Sequence, residues 1–269
     1  MLSFKGLRKI YPDGTVALDT VDLTVPNGQF CVILGPSGSG KSTLLRTING
    51  LVDPTAGTIT LRDLPLERRT MRQFRRQVGT IHQSFNITGR LSVLANVCAG
   101  ACGDLPAWRS SLGIFPTPLK RKACQLIARV GLQEKHLYRR AKELSGGQQQ
   151  RVGIARAFIL DQPVILADEP VASLDPETSR EILTLLREAS RERHATVLCS
   201  LHQIDLAREF ADRIVGVSCG NIVFDGLPGE LDDAALKRIY QGQPDVLAEA
   251  GVETVTAKPS PSALEPCRA

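Results

Sequence analysis

The chain has 269 residues, with 33 Lys and Arg against 28 Asp and Glu for a formal charge of +5, and it is 42% hydrophobic and 4% aromatic. That length holds one large domain, or a domain with a subdomain, and buries a sizeable core; disorder throughout, a collagen repeat and a disulfide miniprotein are excluded. The charge excess reads as small and spread along the chain, so it lends little support to nucleic-acid binding, and a weakly basic face would equally meet anionic lipid headgroups.

Seven cysteines, at positions 31, 98, 102, 124, 199, 219 and 267, form no CxxC pair and no Cys/His cluster at zinc spacing, so free thiols in a reducing compartment are expected. Met1-Leu2-Ser3-Phe4-Lys5 lacks the apolar core of a signal peptide. No stretch approaches the roughly 18–20 apolar residues needed to span a bilayer, so a membrane role would place the spanning part on another chain.

From Leu18 to Leu34 the pattern predicts two short strands broken by the turn chemistry of Pro26-Asn27-Gly28. The second, Phe30-Cys31-Val32-Ile33-Leu34, is continuously apolar and reads as buried on both faces. It runs into Gly35-Pro36-Ser37-Gly38-Ser39-Gly40-Lys41-Ser42-Thr43, after which Leu44, Leu45 and Ile48 recur at helical spacing. Residues from about 86 to 162 carry little strand signal but several helical stretches, Leu91–Ala99, Leu119–Val130 and Gln148–Ile159, and read as a helical subdomain inserted into a sheet domain. Asp104–Pro118, with three prolines, is expected to be its long loop.

Val164-Ile165-Leu166-Ala167 and Thr196-Val197-Leu198-Cys199-Ser200 are further buried strands, joined through a helix over Pro176–Arg193. Strand, helix and strand of this length imply a right-handed crossover in a parallel sheet. Ile214–Val217 and Asn221–Phe224 predict a hairpin and Asp232–Tyr240 a short helix. After Gln241 a tail follows, whose last stretch, Lys258–Ala269, is expected to be disordered.

Three clusters carry chemistry. Gly35-x4-Gly40-Lys41-Ser42 fits a phosphate-binding loop, in which glycines let backbone N–H groups face an anion and the following helix N-terminus adds its dipole. Lys41 would reach the β- and γ-phosphates of a nucleotide and Ser42 would hold magnesium. Asp168 ends a central strand, where it can hold magnesium through water, and Glu169 beside it can polarise an attacking water; taken alone, the pair equally reads as a solvated turn or a helix cap. Leu144-Ser145-Gly146-Gly147-Gln148 precedes a helix, with Ser145 a good N-cap and two glycines allowing close approach of backbone to a ligand.

With these three in this order the chain resembles the ATP-binding cassette ATPases, whose signature is LSGGQ. The resemblance spans nearly all of residues 1–240. It implies an α/β P-loop fold with a mixed or parallel sheet core, an N-terminal antiparallel β region and an inserted helical subdomain, and it implies ATP with Mg2+. It further assigns residues: Tyr11 stacking on adenine, Gln83 sensing magnesium and water, His202 contacting the γ-phosphate, and Ser173-Leu174-Asp175 crossing a dimer. His82, His136 and His194 match nothing. Two copies of such a chain pair head to tail, placing ATP between the phosphate loop of one and Ser145, Gly146, Gly147 and Gln148 of the other.

A lone cassette is similar to the importer arrangement, in which separate permease subunits dock at the cytoplasmic face of the inner membrane and a binding protein acts indirectly. The Gln83-to-Val97 region and Asp104–Pro118 are the expected docking surface. Tyr11-Pro12-Asp13-Gly14-Thr15, Asn49 to Pro54, Phe85-Asn86 with Gly89 to Val93, Pro106 to Ser110, and Ala167 to Pro176 resemble the phosphonate importer ATPases in particular. Phosphite, phosphate or a polar amino acid are alternative cargoes. A non-transport cassette acting on nucleic acid is the alternative of another class, disfavoured by a single cassette without heptads, and a regulator without turnover is disfavoured by Glu169.

Overall fold

A computed structural model describes residues 1–82, 86–172, 174–241, 243 and 246–247. In chain order it contains β1 (Leu2–Ile10), β2 (Val16–Val25), β3 (Phe30–Leu34), α1 (Lys41–Ile48), β4 (Ala56–Leu61), β5 (Leu64–Pro65), α2 (Met71–Arg75) and β6 (Val78–Ile81). There follow α3 (Val93–Ala99), α4 (Ala107–Ser111), α5 (Thr117–Arg129), α6 (Gly146–Ala157), β7 (Val164–Asp168), α7 (Pro176–Glu192), β8 (Thr196–Leu201), α8 (Ile204–Phe210), β9 (Arg213–Ser218), β10 (Asn221–Gly226) and α9 (Asp233–Ile239). The chain divides into two compact units, one built from Met1–Met71 with the described residues from Ser200 on, the other from Arg72–Cys199.

In the first unit an antiparallel sheet runs β2-β1-β4-β5, with Phe4 opposite Leu23 on one side and Ile59 on the other. These three side chains are buried, so the sheet presents an apolar face to a core. The order β10-β9-β3 completes this unit, β3 running parallel to β9 with Val32 opposite Ile214. Every residue of β3 is buried, as its unbroken apolar run predicts. Asp212 fixes the register at the strand start, its Oδ2 accepting from the Phe30 N–H at 2.8 Å. Arg213 holds the β9–β10 hairpin through both carboxylate oxygens of Asp225, each at 2.5 Å.

In the second unit the strands run β8-β7-β6, with β6 parallel to β7 and Ile81 opposite Ala167. Helix α7 returns the chain from β7 to β8, burying Ile182, Leu183 and Leu186 as the stripe predicts. Helices α3, α5 and α6 share a core that includes Val97, Ile127 and Ile154. Asn96, itself buried, shapes the entry to α3: it accepts from the Thr88 N–H at 2.8 Å and donates to the Thr88 carbonyl at 3.0 Å.

Several elements differ from the sequence expectation. β1 was hidden because Gly6 and register shifts after Phe4 and Leu7 break its alternation. β6 is a four-residue strand containing Gly79, too short for a period to show. Asp104–Pro118 is not all loop, since α4 forms within it after Pro106 fixes the entry. The hairpin, the helix over 233–239 and the helix between β7 and β8 lie where expected, whereas Lys258–Ala269 lies outside the described residues. Cys31, Cys98, Cys102, Cys124 and Cys199 are free thiols, as expected, and Cys267 lies outside the described residues. Among the described residues no helix is long and apolar enough to cross a membrane.

Candidate functional site

The loop 35–40 joins β3 to α1 in the first unit, and two of its glycines are required by contact. A Cβ on Gly35 would sit 2.2 Å from the Val217 carbonyl oxygen, and one on Gly40 would sit 2.4 Å from that of Ala17, where φ is also +108°. No L side chain fits either place. Pro36 is half-buried, whereas Ser37 and Gly38 are exposed at the crest of the loop. Gly40, the N-cap of α1, has no side chain with which to cap the helix start. Lys41 opens that helix and is only 4% exposed; its ammonium donates to the carbonyls of Gly35 at 2.7 Å and Pro36 at 2.9 Å. Ser42 and Thr43 follow in the first turn, half-buried.

The loop fits a phosphate on its own chemistry. The Ser39 hydroxyl is buried with no hydrogen-bond partner inside the turn, a polar atom that an anion would satisfy. A positive helix end and a buried ammonium add attraction of the same sign. Tyr11 lies beside this loop: its hydroxyl is 3.5 Å from Thr43 Oγ1, and the Lys9 ammonium stands 5.1 Å from its ring centroid. The ring is half-buried and already engages a cation on its π-system.

In the second unit, β7 delivers Asp168 at its carboxyl end, half-buried, with Glu169 next. Glu169 holds φ at +47°, in the left-handed region that a non-glycine residue seldom occupies. The sequence pair alone does not reveal this backbone reversal. Among the described residues no three His, Cys, Asp or Glu side chains converge on a metal site.

Ser145 caps α6 as expected, its hydroxyl accepting from the Gln148 N–H while Gln148 Oε1 accepts from the Ser145 N–H at 3.1 Å. Gly146, Gly147 and Gln148 form the first turn, and with Ser145, Arg151, Asp175 and Glu181 they line an open cleft of about 540 Å³. Asp175 caps α7 by accepting from the Thr178 N–H at 2.9 Å, a bond that lowers its carboxyl pKa. His202 follows β8 in the first unit, half-buried, before α8. Gln83 and Ser173 lie outside the described residues.

A family model described as ABC transporter matches residues 18–172. The chain belongs to the ABC transporter family. It is 55% identical over 231 residues to the Phosphonates import ATP-binding protein PhnC of Hyphomonas neptunium, covering 86% of this chain and 88% of the relative. The protein of the same name from Hydrogenovibrio crunogenus is 50% identical over 241 residues, 90% of this chain and 89% of its own. Among solved structures, the dimeric post-hydrolysis state of the ATP-binding cassette MJ0796 bound to ADP and Pi is similar at 34% identity and TM-score 0.73, covering 85% of this chain and 99% of that one. The ADP conformation of MJ1267, another ATP-binding cassette, is similar at 25% identity and TM-score 0.77 over 94% of this chain.

This ABC cassette binds nucleotide, as its family does. It also contains functional candidates that sequence reasoning passed over. Arg151 spans the signature cleft, donating to the Val130 carbonyl at 2.8 Å and to Glu181 at 2.6 Å. Its position one turn after Gln148 was the available signal. The charge of the ABC cassette is also less even than the whole-chain total suggested, since residues 86–162 hold 12 Lys and Arg against 4 Asp and Glu.

Proposed function

We propose that this cassette is the ATP-hydrolysing subunit of a phosphonate importer, acting as a head-to-tail dimer on permease subunits at the cytoplasmic face of the inner membrane. The observation that carries the cargo is the similarity to proteins named for phosphonate import, at 50–55% identity over 86–90% of the chain.

In this reading the chain's own residues divide the work. Gly35 to Gly40 wrap the phosphates, and Lys41 exchanges two backbone carbonyls for the β- and γ-phosphate oxygens. Ser42, Asp168 and Gln83 hold magnesium, which when bound offsets the phosphate charge. Glu169 orients the attacking water and receives its proton, while His202 contacts the γ-phosphate. Tyr11 stacks on adenine. Ser145, Gly146, Gly147 and Gln148 of a second copy close over the same nucleotide, so ATP favours the closed dimer and hydrolysis releases it.

Docking to the permease is supported by the chemistry of α4 and the loop after it. Trp108 is 57% exposed, Leu112 69% and Ile114 48%, three large apolar side chains within seven residues. Apolar surface left open on this scale marks an interaction site.

The test is uptake of a labelled alkylphosphonate, beside phosphate and phosphite, in host cells carrying the native chain or Glu169→Gln. Loss of phosphonate uptake alone is expected. Loss confined to phosphate or phosphite would replace the cargo, and uptake unaffected for all three would remove the transport assignment.

A further inference from the structure

Helix α9 ends at Tyr240, which is 1% exposed although it carries a hydroxyl. The helix lies directly on β9: a Cβ on Gly216 would stand 2.5 Å from Ile239 Cδ1 and Cγ1. Two backbone bonds fix Tyr240 there, its N–H donating to the Leu236 carbonyl at 2.8 Å and its carbonyl accepting from the Gln243 N–H at 3.0 Å. From this place the phenol hydroxyl donates to the backbone carbonyl of His202 at 3.3 Å. The phenol hydroxyl therefore ties the end of α9 to the backbone of the histidine after β8.

Packing alone does not call for that oxygen. A phenylalanine would fill the site, and burying a hydroxyl carries a desolvation cost that only its partners offset. Burial pushes the Tyr240 phenol up to about 12, so the group remains a proton donor throughout the neutral range.

We propose that Tyr240 is a positioning residue for ATP hydrolysis, its hydroxyl holding the backbone carbonyl of His202 and hence setting the reach of the imidazole toward the γ-phosphate. The proposal rests on the reading of His202 as the γ-phosphate contact. It gives α9, which lies outside the three motif clusters, a part in turnover.

The test uses the full chain with MgATP and compares steady-state hydrolysis by the native protein, Tyr240→Phe, His202→Ala and the double variant. Tyr240→Phe keeps the ring and is expected to lower kcat about fivefold, the worth of one ordinary hydrogen bond, with the KM for ATP within about twofold. In the His202→Ala background the same change is expected to cost nothing further, because the residue acts through His202. An unchanged kcat in folded Tyr240→Phe, a KM that rises while kcat holds, or additive losses in the double variant would each overturn the positioning role. Full activity in His202→Ala would instead overturn the reading beneath it. Site-specific 3-fluorotyrosine at position 240 retains ring and hydroxyl and is expected to restore kcat. Should Tyr240→Phe not fold, site-specific 4-fluorophenylalanine at position 240, which keeps the ring and a para substituent but cannot donate, takes its place: the same fall in kcat is expected, and an unchanged kcat overturns the proposal.

Discussion

Glu169 sits with its backbone in the left-handed region immediately after a buried strand, a conformation costing of order 1–3 kcal/mol that the surrounding fold sustains. Glutamine has the same shape, so Glu169→Gln is expected to keep the fold and ATP affinity while removing turnover by two orders of magnitude or more, read in a single-turnover assay. A folded variant that hydrolyses ATP at the native rate would remove its proposed role. Lys41 makes the complementary case, because its ammonium is already buried and held by two carbonyls. Lys41→Ala should weaken nucleotide binding itself by about 1.5–3 kcal/mol, the range for a charge-assisted hydrogen bond, measured by direct titration; unchanged affinity would contradict the loop's assignment. The loop at 35–43 was readable from spacing, because a glycine loop between a buried strand and a helix has few other uses, whereas 168–169 and 145–148 gained their reading from the resemblance. The dihedral of Glu169 and the hydroxyl of Tyr240 were not readable, since both depend on contacts between segments far apart in sequence.

At the level of elements, the caps decide where the chemistry stands. The box formed by Ser145 and Gln148 starts α6 at the edge of an open cleft, so a long side chain at 145 projects into it. Ser145→Arg should fold as a monomer and lose ATPase activity; full activity would argue against a site completed by a second copy. Helices α5 and α7 are tied through Asp161, which pairs with Lys122 and, at 3.0 Å, with Arg193. Burial raises the Asp161 carboxyl, but the two cations outweigh it and the net direction is down. A depressed folded pKa means that the stabilisation is fully present above the unfolded value near 3.9 and fades as the pH falls through the folded one. Asp161 also holds φ at +51°, which asparagine tolerates well. Asp161→Asn should therefore lower Tm at pH 7 and leave it nearly unchanged in strong acid; an equal drop at both would exclude the charge as the cause. Long periodic helices such as α5 and α7 were readable within about two residues, whereas α4 was lost to the prolines around it.

On the scale of the whole molecule, the open apolar residues Trp108, Leu112 and Ile114 stand close together within a segment, 86–162, that carries an excess of cations. Trp108→Ala with Leu112→Ser should leave the ATPase activity of the isolated cassette within about twofold and abolish uptake in cells, since a surface change away from caps and core costs little stability. A variant that transports normally would move the docking surface elsewhere. The α/β class, the inserted helices and the antiparallel N-terminal sheet were foreseen in outline, but the division of the chain was not: one unit is assembled from both ends of the sequence, and the boundary falls inside β8, between Cys199 and Ser200. During synthesis this has a temporal consequence. At about 5–20 residues per second, β3 emerges roughly ten seconds or more before its parallel neighbour β9 exists. For that interval Phe30-Cys31-Val32-Ile33-Leu34 is an apolar ribbon without its partner on the ribosome, and a nascent chain stalled before residue 213 is the species that chaperones should capture.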